Sequence, residues 1–520
     1  MNRTLLKLAI GVVLAVAGWN TANAFDKDSL VWKKCTGCHS PEDGQIARVE
    51  ELRTTPEEWT VIVDRMHRLY KMPIGPGEMA ALLKELSATQ ILSPEEAARV
   101  SYISLFNNPQ TMEAPHGAEE ERLFVTCVRC HSAAKIFAYR MTPDNWAKLR
   151  DFHLYFDPTI MNQMREMHWR EEADKVLPFL AQNYAYGEAW KAPQANPAGQ
   201  WLVLGAEPGK GSYRGKATLV SRGDGEFALD GSLDYADGTS ETFTGEATLY
   251  GGYALRTRAR QNGNLTMGAF SFVDGLIKGE HHHPAPDFRT SSSAWYPLTK
   301  KSQVLRLTPG YLLGGEETKV LVEGMNLPEV KVRNISASDA QVEVLQATRT
   351  GPESIELVLA YRGTGHGEAS LKIKGLESPV LKLAPRIDFL TVSPATGRAR
   401  INGGVNYPAE GVQFQALAWS RGADADDPQD DYQLGPVDAA FSLAEEQTRP
   451  GDDDLAYAGA IEADGTYLPI GDYHPIQARM FGAEGTGWIK VLATYQRGAD
   501  AYTAEAKLAV TVPDFIQRIR

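Results

Sequence analysis

The chain has 520 residues, 43% of them hydrophobic, a formal charge of −13 and only four cysteines. That hydrophobic content is enough to build several cores, so general disorder is excluded, and the acidic balance disfavours nucleic acid or an anionic membrane as partner. Residues 1–24 read as a secretory signal: Arg3 and Lys7 give the positive end, Leu8 to Gly18 a short apolar run, and Ala22-Asn23-Ala24 a small-residue cleavage site. Cleavage after Ala24 predicts a mature chain that starts near Phe25 in the periplasm. The apolar run is short for a membrane anchor, and no later stretch predicts a span.

Two copies of one five-residue word follow, Cys35-Thr36-Gly37-Cys38-His39 and Cys127-Val128-Arg129-Cys130-His131. C-x-x-C-H is the covalent attachment pattern for c-type haem, with two thioether sulfurs and an adjoining proximal His. A four-cysteine zinc site or a thioredoxin-like couple needs no His after both pairs, and a disulfide across two residues staples almost nothing. The sequence therefore predicts two haems, held by Cys35, Cys38, Cys127 and Cys130, with His39 and His131 on iron.

Residues 25–195 are an internal repeat. Thr55-Pro56-Glu57-Glu58-Trp59 and Thr142-Pro143-Asp144-Asn145-Trp146 are the same helix start, a Thr cap followed by Pro and acidic or amide residues. After Trp59, the positions Ile62, Val63, Met66, Leu69 and Tyr70 form an apolar face at helical spacing. Short helices are expected before each word, around Leu30-Val31-Trp32 and Leu123-Phe124-Val125, with closing helices over Ala80 to Leu86 and Ala173 to Ala181. The sequence thus predicts an all-α dihaem domain. Sliding the two Trp helices together without gaps puts Asp64 on Asp151 and Met66 on His153, seven residues after each Trp. Met66 and His153 are therefore the expected distal ligands, giving one His/Met and one His/His centre. Met72, in Lys71-Met72-Pro73, and His168 are the alternatives, and His67 reads as a surface residue. A thioether partner raises haem potential relative to a second imidazole, so electrons are expected to run from the bis-His to the His/Met centre.

Ala192 to Gly199 reads as a linker, after which the chain becomes β-rich. Residues 196–302 alternate polar and apolar positions in runs such as Lys216 to Val220, Glu246 to Tyr250, Tyr253 to Ala259 and Met267 to Val273, predicting an antiparallel barrel. His281-His282-His283 lies there; consecutive extended residues cannot all face one ion, and Pro284 and Pro286 suggest a loop. In residues 303–385, Leu307-Thr308-Pro309-Gly310, Gly314-Gly315 and Gly324-Met325-Asn326-Leu327 resemble the opening of an immunoglobulin-like module of the transcription-factor and plexin type. Residues 386–520 predict a second immunoglobulin-like sandwich, with strands near Ile387 to Val392, Val412 to Ser420, Gly487 to Tyr495 and Ala504 to Val512. Its acidic stretches Ala423 to Asp431 and Asp452 to Asp454 read as solvated loops. Neither sandwich shows a nucleophile, base and orienting group at a recognisable spacing.

The order of parts, a signal peptide, a dihaem domain with both words and three β domains, resembles the alpha subunit of quinohemoprotein amine dehydrogenase over essentially the whole mature chain. The resemblance implies a periplasmic heterotrimer that oxidises primary amines to aldehyde and ammonia. It also implies a gamma subunit carrying cysteine tryptophylquinone, a propeller beta subunit, and a blue copper protein or soluble cytochrome c as electron acceptor. With every cysteine committed to haem, no catalytic quinone is expected in this chain. Two other classes remain open: an autonomous dihaem carrier whose β domains recognise another redox partner, and a dihaem peroxidase, which needs an iron with an open or displaceable sixth position and a nearby acid or base.

Overall fold

The computed structural model describes residues 25–105, 110–128, 131–156, 160–164, 166–403, 408–424, 427–470 and 485–511. The signal segment and Cys130 lie outside these residues. No helix among the described residues is long and apolar enough to cross a membrane.

The first part holds the helices α1 (Leu30–Cys35), α2 (Pro56–Arg68), α3 (Glu78–Thr89), α4 (Pro94–Ala98), α5 (Ala118–Cys127), α6 (Ala134–Phe137), α7 (Pro143–Phe156), α8 (Ile160–Gln163) and α9 (Trp169–Asn183). It is not the all-α domain that the sequence predicts. Short ladders join β1 (Pro41–Glu42) to β2 (Gln45–Ile46) and β3 (Leu52–Arg53) to β4 (Arg140–Met141), and strand dominates the described chain from Gly199 onward. The cause of the second ladder is local. A residue before proline is pushed out of the α region, so the chain runs extended into Thr55-Pro56 and Thr142-Pro143, and the two extended approaches pair edge to edge.

That pairing makes the repeat a two-fold arrangement. Arg53 lies opposite Arg140 in the ladder, and the offset that carries one to the other also carries Trp59 to Trp146. Each Trp starts a Thr-capped helix: Thr55 and Thr142 accept from Glu58 N and Asn145 N, both at 3.3 Å. Each indole Nε1 donates to the carbonyl of the residue that caps the end of its closing helix, Trp59 to Gln90 O at 2.6 Å and Trp146 to Tyr184 O at 3.2 Å. Between the halves, Glu96 receives Arg53 through Nη1 at 2.6 Å and Nη2 at 2.9 Å, and Arg140 through Nε at 3.1 Å.

The strands β5 (Gly199–Glu207), β6 (Gly211–Gly223), β7 (Glu226–Tyr235), β8 (Ser240–Tyr250), β9 (Ala254–Gln261), β10 (Asn264–Val273), β11 (Leu276–His282) and β12 (Thr290–Pro297) close into an up-and-down antiparallel barrel. Its core includes Trp201, Tyr213, Phe227, Phe243, Phe270 and Trp295. The barrel docks on the helical part through the β8–β9 turn. Trp190 Nε1 donates to Gly251 O at 2.7 Å, Tyr253 OH donates to Leu92 O at 2.8 Å, and Arg256 pairs with Glu57 at 2.6 Å. Gly251 sits at φ +55°, where a Cβ would lie 2.7 Å from Ile91 Cγ2 and 2.9 Å from Ser87 O, so only glycine lets the turn approach α3 this closely. His281 and His282 belong to β11 rather than to a loop, and burial pushes the imidazoles of His281, His282 and His283 down to about 4, 3 and 4.

The third part has a four-stranded sheet in the order Gln303–Thr308, Glu317–Met325, Ser354–Tyr361, Val342–Gly351, with two three-stranded sheets around one core. The fourth pairs Asp500–Thr511 with Gly487–Arg497 antiparallel and with Thr396–Arg400 parallel. Asp454 is not the solvated residue expected from its acidic run: it is buried, accepting from Trp488 N at 2.8 Å and pairing with Arg449 at 2.9 Å.

Candidate functional site

Helix α1 delivers the first attachment word. Ser29 caps it, accepting from Trp32 N at 3.0 Å, and the Glu85 carboxylate of α3 takes the next orphan donors, Leu30 N at 3.2 Å and Val31 N at 2.9 Å. Cys35 ends the helix, and the word curls back on it, with Cys38 N at 3.1 Å and His39 N at 2.9 Å from Cys35 O. Burial pushes the Cys35 thiol up to about 11, helped by Cys38 and Glu85. Burial also pushes the His39 imidazole down, with Arg48 adding to the shift and a backbone contact at Ala47 opposing it. In the second half, α5 ends on Cys127 in the same way.

The described residues of both words open on one cavity of about 2010 Å³, which the Trp helices α2 and α7 also line. Ligand pockets are usually ~300–1,000 Å³, so the space is sized for more than one large prosthetic group. Cys35, Cys38, His39, Cys127 and His131 all reach it, as do Met66, Met72 and His153. His168 does not: it stands exposed before α9, 3.6 Å from Glu171. Met72 is folded back beneath the end of α2, its N–H on Met66 O at 3.0 Å, and packs on the core around Trp59 and Val63. Met66 is half-buried. His67 is exposed, with Nδ1 2.8 Å from Met72 O.

His131 and His153 face each other with ring centroids 6.4 Å apart. Their Nδ1 atoms lie 3.0 Å from Ser132 O and 2.8 Å from Leu149 O. A carbonyl only accepts, so each Nδ1 carries the proton at that contact, and Nε2 is the ring nitrogen that a metal would take. Two imidazoles set opposite one another on one metal at ~2.0–2.1 Å per bond have centroids about 6.3 Å apart, so the spacing of the pair suits a shared metal ion. Trp169, its Nε1 donating to Thr126 O at 3.0 Å, lies with its ring centroid 6.1 Å from that of His153.

Arg65 and Phe152, which precede Met66 and His153 and are related by the same repeat offset, meet across the two-fold with the guanidinium 5.2 Å from the ring centroid. Arg65 Nε is buried without a hydrogen-bond partner in the cavity wall. An orphaned cationic donor there suits a carboxylate-bearing group such as a haem propionate. Sequence reasoning missed Arg65 and Trp169. The gapless repeat alignment carries the signal for Arg65, because it sets Arg65 on Phe152, beside the candidate ligands Met66 and His153.

Three family models match the chain. Residues 26–190 match the haem-binding part of the quinohemoprotein amine dehydrogenase alpha subunit, residues 194–288 its domain II and residues 390–519 its domain IV. The chain belongs to the quinohemoprotein amine dehydrogenase alpha-subunit family. The haem-binding match encloses both attachment words and every ligand considered above. Comparison with curated proteins returned no match. Among solved structures, a de novo designed fluorescence-activating β-barrel is 17% identical, covering 19% of this chain and 93% of that one at a TM-score of 0.18. A Bacteroides ovatus mixed-linkage glucan utilisation protein in complex with a heptasaccharide is 10% identical, covering 48% and 53% at 0.18. A mouse protocadherin-24 fragment is 12% identical, covering 46% and 79% at 0.17.

Proposed function

We propose that this chain is the exported, periplasmic dihaem electron-transfer subunit of an amine dehydrogenase. It takes electrons from a tryptophylquinone in a partner subunit during oxidation of primary amines to aldehyde and ammonia, and passes them to a soluble copper protein or cytochrome c. The observation that carries this reading is the single cavity onto which the described residues of both C-x-x-C-H words open beside Met66 and His153. A bound c-type haem supplies a one-electron iron couple. Cys35 with Cys38, and Cys127 with Cys130, tether one such group each, while His39 and His131 offer proximal nitrogens. Met66 supplies a thioether on the first side. His153, its Nδ1 against Leu149 O, would offer Nε2 on the second. With haems bound, a Met66 thioether would favour ferrous iron more than a His153 imidazole would, so the first site would be the higher-potential one. Arg65, between the two, offsets propionate charge. Domain limits at 25–195, 196–302, 303–385 and 386–520 leave three β units as scaffold and docking surface for the beta propeller and the quinone-bearing gamma subunit.

The test uses the assembly purified from the periplasm. Adding a primary amine should bring up the reduced haem bands in wild type, and Cys35→Ser/Cys38→Ser should remove one haem from the chain. Purification of the chain alone as a stable monomer, with no haem reduction by amine when the neighbouring subunits are supplied, would overturn the proposal and favour an autonomous carrier.

A further inference from the structure

The eight-stranded barrel ends in a polar cluster that plays no part in haem binding. Glu207 closes β5, while His281 and His283 lie two apart at the end of β11, so they share a face. His282 turns the other way, its Nδ1 3.1 Å from Thr290 Oγ1. One ligand atom each from Glu207, His281 and His283 lies within 4.8 Å of the others, and all three residues are buried. The His281 and His283 rings are 5.9 Å apart.

The hydrogen bonds engage one side of each residue and leave another ligand atom within reach of its two neighbours. His283 Nδ1 lies 3.4 Å from Thr266 Oγ1 and 3.7 Å from Asp287 Oδ2, while its Nε2 is buried with no partner. A carboxylate or hydroxyl behind one ring nitrogen, with the other nitrogen aimed inward, is the support that metal-binding histidines use. His281 meets Ser291 Oγ through Nε2 at 3.0 Å, which leaves Nδ1 for a ligand. Lys210, at 3.1 Å, and Arg289 hold Glu207 Oε1, while Oε2 accepts from Tyr235 OH at 3.2 Å and retains capacity for a cation. The carboxylates of Glu207, Glu241 and Asp287 outnumber Lys210 and Arg289, three to two. A purely structural polar plug would leave no reason for a buried unpartnered imidazole nitrogen.

We propose that Glu207, His281 and His283 form a binding site for a zinc-type divalent cation, which clips the end of β5 to the end of β11 at the barrel mouth. Two imidazoles and a carboxylate are the donor set borderline divalent cations select, with the fourth position left to water. Tetrahedral ligand atoms lie ~3.4 Å apart, so small side-chain movements complete the site.

The test is zinc content per chain in the purified haem-loaded protein, measured by elemental analysis after dialysis against a weak chelator and again after adding one equivalent of Zn2+. About one zinc per chain is expected in wild type, with retention at least about tenfold lower in His283→Gln and Glu207→Gln. His282→Gln should bind as wild type does, and the haem spectrum should be the same in all four, which separates this site from the haem ligands. Failure of wild type to take up zinc, or wild-type content in His283→Gln, overturns the proposal. Should either variant fail to fold, Co2+-loaded wild type decides: ligand-field bands of a nitrogen- and oxygen-ligated tetrahedral ion support the site, and their absence refutes it.

Discussion

Glu96 is the sharpest single perturbation of the two-fold that places the candidate haem ligands. Its carboxylate binds Arg53 and Arg140, equivalent residues facing each other in the β3–β4 ladder, whose side chains are only 6% and 9% exposed. Glu96→Gln keeps the shape and removes the charge, leaving two buried guanidinium groups side by side. Removing one partner of a buried ion pair costs ~3–5 kcal/mol. Glu96 itself is 25% exposed, which places the expected cost near the lower end, ~3 kcal/mol, or about a hundredfold in the unfolding equilibrium. The assay is urea unfolding of the haem-loaded chain followed by haem absorbance, which reports the first part separately from the β units. Arg53→Met in the Glu96→Gln background should restore part of the loss, because it removes the repulsion. The pH dependence has a defined sign. Burial pushes the Glu96 carboxyl up, but Arg53, Ser93 N and Arg140 together more than offset this and hold it below its ordinary value of 4.5. A lowered folded value contributes stability that is present above pH 4.5 and lost as the pH falls through the folded value. The gap between wild type and Glu96→Gln should therefore be widest near neutrality and shrink below pH 4.5. A cost under ~1 kcal/mol at pH 7, typical of a surface ion pair, would refute the reasoning.

Other outcomes test neighbouring links. Trp59→Phe and Trp146→Phe each remove one of the two donors to a carbonyl, leaving Gln90 O with Thr54 N and Tyr184 O with Met141 N, and should each destabilise by ~0.5–1.5 kcal/mol in the same urea assay; a large effect in only one half would break the two-fold equivalence. Gly251→Ala forces a methyl against Ile91 and Ser87 O at a positive φ, and should lower the thermal midpoint of the helical part more than Gly263→Ala, a turn glycine also at positive φ with open space around it; equal effects would show that the close approach is unimportant. Ser93→Ala removes the side-chain half of the α4 capping box and should cost ~1 kcal/mol.

Local chemistry was legible and long-range pairing was not. Thr-Pro-x-x-Trp marks both α2 and α7 because cap, proline and acidic first turn are written within five residues. The alternating runs Lys216 to Val220, Glu246 to Tyr250 and Met267 to Val273 fall inside β6, β8 and β10, since period two is a short-range signal. Tyr253, read as the start of a strand, instead ends the glycine turn and reaches Leu92 O, a contact set by docking. The β3–β4 ladder, which overturns the all-α expectation, is two residues long and has no period to read. His168 resembled His153 as a residue type, but the sequence carried no sign that it stands outside the cavity. Nor did anything in the His281-His282-His283 run point to Glu207, which only the barrel register brings alongside.

The most direct test of the central claim is the low-temperature EPR and near-infrared spectrum of the oxidised, exported chain, in wild type, Met66→Ala and His153→Ala. The account predicts one His/Met and one His/His low-spin haem in wild type, with Met66→Ala removing only the first signal and His153→Ala only the second. Persistence of both signals in both variants, or a high-spin haem in wild type, would contradict it.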